Sequence, residues 1–280
     1  MATPIGNLAD ISLRALHVLQ LVDSIACEDT RHTQALLRAY GIEKTGANML
    51  ALHQHNELEA AELVLERLRH GQRVAYASDA GTPAVSDPGA RLVAAVRAAN
   101  LRVVPVPGPS SVTAALSVAG ISADDGPDKG FVFAGFLPSK AVERATQIAL
   151  LAAEPRALVL LEAPHRIDAL AGALAGLGPR RITVGRELTK QFEEIATMAA
   201  QEFAPWLAAD TNRSRGEFVL VLHPANVPSR VGEEMRVLKL LLAELPLKTA
   251  VKLAADITGA SRNALYEAAL LERNSSRGQN

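Results

Sequence analysis

A single cysteine, Cys27, among 280 residues leaves no partner for an internal disulfide and no thiolate cluster for a metal. A reducing, cytosolic setting is the expectation. Long apolar runs are equally scarce. The longest, residues 148–153, falls far short of the ~20 needed to cross a bilayer, and the N-terminus carries no basic-then-apolar signal pattern, so neither membrane insertion nor secretion is expected. An excess of one charge is missing too. Lys and Arg number 29 against 30 Asp and Glu, a net charge of −1, so no global basic field advertises nucleic acid and any such contact needs a local patch. No G-x-G-x-x-G occurs. Gly41 and Gly46 have Walker spacing but are followed by Ala47 and Asn48 rather than Lys and Ser or Thr, which argues against a nucleotide triphosphatase.

What is present is an α/β rhythm. Apolar runs at residues 24–27, 73–77 and 101–106 read as buried strands separated by amphipathic helices. The helix over 58–68 places Leu58, Ala61, Leu65 and Leu68 at three- and four-residue steps, with Glu59, Glu62, Arg67 and Arg69 outside. Between Gly120 and Gly130 the pattern breaks into a turn-rich stretch with Ser122, Asp124, Asp125, Gly126, Pro127 and Asp128, which predicts a domain boundary. Beyond it, 131–136, 157–161, 181–185 and 218–222 read as strands, with helices at 141–152 and 167–174. The predicted organisation is an α/β domain over 1–119, a second over 120–225, and a linker with a helical tail over 226–280. In the tail, Val251, Ala254 and Ile257 suit packing on a partner helix. Gly259 suits a left-handed turn and Ser261 a cap, the pattern of a helix-turn-helix. Residues 274–280 read as disordered.

Three loops rich in small residues stand out. Ser78-Asp79-Ala80-Gly81-Thr82-Pro83-Ala84-Val85-Ser86-Asp87-Pro88-Gly89 follows a strand and precedes a helix, where open α/β sheets bind ligands. A tight turn with Asp87 capping a helix that starts at Pro88 explains part of it, but neither its length nor Asp79. Pro107-Gly108-Pro109-Ser110-Ser111 repeats the theme, with Ser110 or Ser111 as cap, and Ala2-Thr3-Pro4-Ile5-Gly6-Asn7-Leu8 has the same character. His53 and His55 could serve as a metal pair, yet no further ligands accompany them at helical spacing; surface or hydrogen-bonding histidines is the better reading. No metal is expected.

Taken in order, these loops and Cys27-Glu28-Asp29-Thr30-Arg31-His32-Thr33, His55-Asn56-Glu57, Glu162-Ala163-Pro164-His165-Arg166, Gly185-Arg186-Glu187-Leu188-Thr189-Lys190 and Arg215-Gly216-Glu217-Phe218 strongly resemble the ribosomal RNA small subunit methyltransferase I family. The match runs over nearly the whole chain. The resemblance implies two α/β domains of the tetrapyrrole-methylase type with a ligand cleft between them, plus a small helical unit. It implies S-adenosylmethionine as cofactor and 2'-O-methylation of a cytidine ribose in the decoding region of 16S rRNA within the 30S subunit. It also suggests a homodimer. One departure stands out: in the family a hydrophobic strand precedes the Ala-Thr-Pro-Ile-Gly-Asn loop, whereas here Met1 stands directly before Ala2. The expectation is a truncated first strand, with the true start upstream, because an unfilled slot would expose two strand edges.

On that resemblance Pro4, Gly6, Asp79, Ala80, Gly81, Thr82, Pro83, Val85, Pro107, Gly108 and Ser110 would contact the cofactor. Glu162, Ala163, Pro164, Arg186, Glu187 and Leu188 would reach across from the second domain. A ribose hydroxyl is a poor nucleophile, so a base or a cation at the emerging alkoxide would help. Glu28, Asp29 and Lys190 are the foremost candidates, beside His55, Glu57 and Glu187. Asp29 or Thr30 could instead be a plain helix cap. Lys190 could be a base of lowered pKa or a phosphate contact, and Cys27 reads as a packing residue. Substrate contacts are expected from Arg31, His32, His55, Asn56 and Glu57, and, in the tail, from Lys248, Lys252, Arg262 and Asn263. The rivals are a small-molecule methylase of the same fold, for which the tail would be superfluous, and a DNA-binding regulator, for which the preceding loops would be idle.

Overall fold

The structure, a computed structural model, describes residues 1–53, 56–121, 130–225 and 231–277. Its first sheet is parallel, in the order β2 (Met49–Ala51), β1 (Ser24–Cys27), β3 (Val74–Ala77). β1 is buried throughout, as a strand covered on both faces must be. Alternation then divides the core. Ile25 and Cys27 join Leu19 and Leu37 from α1 (Leu13–Leu21) and α2 (Thr30–Ala39). Ala26 joins Val64, Leu65 and Leu92 from α3 (Glu57–Arg69) and α4 (Ala90–Ala98) on the other side. Cys27 is fully buried and its thiol is pushed up by that burial, which leaves it inert packing.

Two expectations are corrected here. Residues 101–106 form no strand, and Val103 and Val104 are exposed. Among the described residues, the sole backbone bond of residues 102–106 beyond the segment is Ala2 N–H donating to Val106 O, 3.2 Å. Without a ladder, apolar residues alone do not make a strand. In α3 the inward face is rotated: Leu58 is 68% exposed while Glu57 is 8% exposed, for a reason given below.

The second sheet runs β4 (Phe131–Phe136), β5 (Ala157–Glu162), β8 (Phe218–Leu222), β6 (Arg181–Arg186), β7 (Glu194–Ala199). The β4–β5 pair is parallel and the others are antiparallel. One face packs α6 (Ala141–Leu151), α7 (Ile167–Leu174) and α8 (Phe203–Ala208) around Leu158, Leu160, Ile182, Leu220 and Phe218. Each fully buried Leu or Ile there contributes about 1.5–3 kcal/mol. The opposite face receives α5 (Ser111–Val118), whose Val112 and Ala115 pack on Val159, Val219 and Val221. The residues named above as a domain boundary, Ser122 to Asp128, lie outside the described residues. Both sheets belong to one compact unit, Met1–Ala225.

A second unit, Asn226–Asn280, holds α9 (Val231–Glu244), α10 (Leu247–Thr258) and α11 (Arg262–Arg277). Leu238, Val251, Ala254, Leu265 and Ala269 form its core. Gly259 ends α10 with φ +76°, the left-handed cap its sequence position suggests. Ile257, expected inside, is 63% exposed. Residues 274–277, expected to be disordered, continue α11, since no Gly or Pro interrupts the run before Gly278. Among the described residues no helix is long and apolar enough to cross a membrane.

Candidate active site

The three small-residue loops meet. Thr3 and Gly81 exchange both backbone hydrogen bonds at 3.0 Å, and the Thr3 hydroxyl donates to Ser78 O, 3.0 Å. Thr82 Oγ1 donates to Pro109 O, 3.0 Å, and a Cβ on Gly108 would stand 3.0 Å from the Ala2 Cβ. Pro4 is buried, while Ala80, Val85 and Pro107 are exposed. Gly81 holds φ +81°, which explains a glycine there. Its N–H and C=O are consumed by Thr3, so its role is conformational. Ala84 and Ser86 also take positive φ, 63° and 68°, a strained stretch of the kind found around binding loops. Ser110 occupies the cap position of α5 without a side-chain cap bond.

Charge gathers at the carboxyl ends of the parallel strands. Glu28 follows β1 and Asp79 lies just beyond β3. Burial, then the neighbouring Asp79, pushes the Glu28 carboxyl above its ordinary value. Burial, then Glu28 and Asp79, pushes Asp87 up to about 6. Sequence reasoning gave Asp87 only a capping role and missed it here. The cap it was assigned belongs to Glu57, whose Oε1 accepts from Gly89 N–H and Arg91 N–H at 2.9 and 3.0 Å. This explains the rotated face of α3. It also places Glu57 as a structural anchor of α4, not in the substrate role expected of it. Glu57→Ala is expected to cost about 1–2 kcal/mol in urea unfolding with acceptor affinity unchanged; a loss of acceptor affinity at unchanged stability would restore the substrate role.

Asp29 is likewise engaged in local structure. It caps α2 through Arg31 N–H at 2.8 Å and forms a two-point pair with Arg31. The Arg31 side chain holds the carboxyl down at about 2. Asp79 Oδ1 in turn accepts from Asp29 N–H, 3.1 Å, tying the two strand ends together. Arg31 and His32 stand exposed on α2. Asn56 bridges Ala51 O and His53 N–H, a turn-holding task rather than a contact with substrate. His55 lies outside the described residues.

From the second half comes the 186–190 turn. Leu188 is buried against α5 and β8, so it packs in the core instead of facing a ligand, and anchors its neighbours. Glu187 and Thr189 take φ +52° and +66°. Glu187 Oε1 accepts from Glu217 N–H and from Lys190 Nζ, both at 2.8 Å. Burial alone would raise the Glu187 carboxyl, but Lys190 and the Glu217 N–H outweigh it and hold it low. Burial alone would lower the Lys190 ammonium, but Glu187 and Glu217 overcome it and raise its value. Lys190 is therefore a fixed cation, which corrects the option of a lowered-pKa base. A Cβ on Gly6 would stand 2.3 Å from Lys190 Cγ, so the first loop lies on the lysine stem.

Arg186 is turned away from the cofactor role expected of it. Its guanidinium pairs with Glu194 at 3.4 Å and reaches Arg215 O at 3.3 Å, propping the segment before β8. Glu162 is buried, paired with Arg166 at 3.0 Å and bonded to Ala163 N–H at 3.0 Å, so it shapes the entry to α7; Pro164 opens that turn. In the second unit Lys248, Lys252 and Asn263 are exposed, and Arg262 pairs with Asp256 at 2.8 Å.

Three converging small-residue loops, neighbouring carboxylates at the strand ends and a fixed cation make up the site, and comparison with known proteins defines the class. Residues 2–204 match the tetrapyrrole (corrin/porphyrin) methylases, and residues 230–273 match the RsmI C-terminal HTH domain. The solved uroporphyrin-III C-methyltransferase of Thermus thermophilus complexed with S-adenyl homocysteine shares the fold, with TM-score 0.51 and 19% identity over 78% of this chain and 93% of its own. The ribosomal RNA small subunit methyltransferase I of Escherichia coli O157:H7 is 48% identical over 96% of this chain and 92% of its own length. That of Neisseria meningitidis serogroup B is 48% identical over 98% and 93%. The chain belongs to the ribosomal RNA small subunit methyltransferase I family of the tetrapyrrole methylases, and it is a methyltransferase.

Proposed function

We propose that this chain methylates the 2'-hydroxyl of a cytidine ribose in the decoding region of 16S rRNA within the 30S subunit, with S-adenosylmethionine as donor. The observation that carries the chemistry is the fixed Lys190 cation against the Gly6 loop, together with the half-buried Glu28 and Asp79 carboxylates at the ends of β1 and β3. When bound, the sulfonium supplies a methyl group that is already activated. The residues present fit it: Glu28, Asp79 and Asp87 gather negative charge suited to a cation, beside the loops that meet at Thr3–Gly81 and Thr82–Pro109.

In this reading the chain mostly positions. Glu28, whose carboxyl is made more basic by burial and by the neighbouring Asp79, takes the proton of the acceptor hydroxyl. Lys190 stabilises the negative charge that builds on the acceptor oxygen. Arg31 and His32 hold phosphates at the rim. In the helical unit, exposed Lys248 and Lys252 with Arg262 and Asn263 dock the RNA. We read the working form as a homodimer.

A cation beside these carboxylates has a pH consequence. Asp87 moves from an ordinary 3.8 to about 6 in the folded chain, so the folded state binds more protons between those values and its ionisation opposes folding there. A bound sulfonium favours the ionised carboxylates. Donor affinity is therefore expected to rise from pH 5 to pH 7 with proton release, and Asp87→Asn to flatten that rise. Calorimetry in buffers of different ionisation enthalpy reads both; a pH-independent affinity in the parent contradicts the placement.

The function itself is tested by offering labelled donor with unmethylated 30S subunits, free 16S rRNA or a tetrapyrrole. Label in the 30S subunit supports the reading, and label only in the tetrapyrrole supports the small-molecule rival.

A further inference from the structure

The Lys190 ammonium is gripped by two carboxylates from distant segments. Glu187 Oε1 lies 2.8 Å and Glu217 Oε2 3.0 Å from Nζ. β6 and β8 bring them together. Arg186 pairs with Phe218 in the antiparallel register, and one step beyond, Glu187 N–H donates to Glu217 O, 2.9 Å. Gly216 is required at this crossing, since its φ is +88° and a Cβ would stand 2.4 Å from Glu187 Cγ.

The two carboxylates differ in what else they do. Glu187 also accepts from Glu217 N–H and so holds the turn together. Among the described residues the Glu217 carboxylate has one bond, to Lys190, and its side chain is 74% exposed. An exposed ion pair adds little to stability, and Glu217 stands one residue before β8 with its side chain largely in solvent. Its carboxylate thus lacks a structural reason but has a geometric one. The lysine stem is confined by the Gly6 loop, Glu187 pulls its ammonium toward the turn, and Glu217 pulls from the solvent side.

We propose that Glu217 is a positioning residue for methyl transfer, acting only through Lys190 by holding its ammonium between the two carboxylates. This rests on the reading of Lys190 as the cation that serves the acceptor oxygen. The charged groups that face Lys190 are Glu187 and Glu217, so the lysine reports the loss of either.

The experiment uses the full chain with unmethylated 30S subunits and compares Glu217→Gln, Glu217→Asp, Lys190→Ala and the Gln–Ala double variant. Glu217→Gln is expected to lower kcat about 5- to 20-fold, with KM for the subunit, donor Kd and Tm unchanged. It should also lower the pH midpoint of Lys190 acetylation, and Glu217→Asp should recover part of the rate. Added to Lys190→Ala, Glu217→Gln should change kcat less than about two-fold, since the pair acts as a unit. An equal loss in both backgrounds, a loss confined to KM, or parental kcat in Glu217→Gln while Lys190→Ala is impaired would overturn the proposal. Parental kcat in Lys190→Ala would instead overturn the reading beneath it, and the proposal with it.

Discussion

Lys190→Met is expected to lower kcat for methyl transfer about 10²- to 10³-fold while donor Kd changes little, because in the proposed role its fixed charge meets negative charge that develops in the transition state and not in the bound ground state. The ammonium is held at 2.8 and 3.0 Å by Glu187 and Glu217 and needs no reorganisation when the reaction occurs. Methionine keeps the stem that packs on Gly6 and removes only the charge. Its removal leaves two carboxylates facing each other, so a fall of a few degrees in Tm is expected as well, and rates should be compared well below it. Lys190→Arg should recover little, since a planar guanidinium does not reproduce a point charge between two carboxylates. Steady-state kinetics on 30S subunits checks this; a loss borne wholly by subunit KM would make Lys190 a phosphate contact instead.

Gly6→Ala should be nearly as damaging. The new Cβ would stand 2.3 Å from Lys190 Cγ, 2.9 Å from Thr189 Oγ1 and 3.1 Å from Leu188 O. The lysine stem could swing away, but the Leu188 carbonyl belongs to a turn pinned in the core by the Leu188 side chain. The loop of residues 2–8 must therefore yield, loosening the Thr3–Gly81 bridge. Overpacking of this kind costs about 1–3 kcal/mol, which predicts at least a ten-fold loss in donor affinity together with a lower Tm. Gly172→Ala is the control. It lies within α7 with nothing within 4 Å of a Cβ, so it should be neutral or slightly stabilising. Equal behaviour of the two variants in calorimetry and melting would show that the Gly6 contact is unimportant.

The fold was largely legible because its strands are continuous apolar runs bounded by turn residues. β1 and β5 are buried on both faces and announce themselves. β7 is an edge strand with exposed Ile195, and β2 has three residues; neither carries enough pattern to be read. Residues 101–106 misled because an apolar run gives propensity but not a partner. The three loops were legible through their small residues, and they do converge. What was not legible is which polar side chain turns where. Glu57 reads as helix surface until Gly89 and Arg91 claim its carboxylate, and Asp87 reads as a cap until Glu28 and Asp79 press on it. The Lys190–Glu217 pair is separated by the whole of β7 and α8, and only the β6–β8 register brings it together. Arg186 and Glu162 read as ligand contacts because they sit in motifs, whereas each is spent on a neighbouring segment.

The central claim is that the acceptor is a ribose hydroxyl of 16S rRNA. It is tested most directly by incubating the full chain with S-adenosylmethionine and unmethylated 30S subunits, digesting the 16S rRNA to nucleosides, and identifying the methylated product by mass spectrometry. The account predicts 2'-O-methylcytidine, at one decoding-region position, in a bond that resists alkaline cleavage, and its loss in Lys190→Met. A methyl group on a base, or none in the RNA with an active donor-bound enzyme, would contradict it.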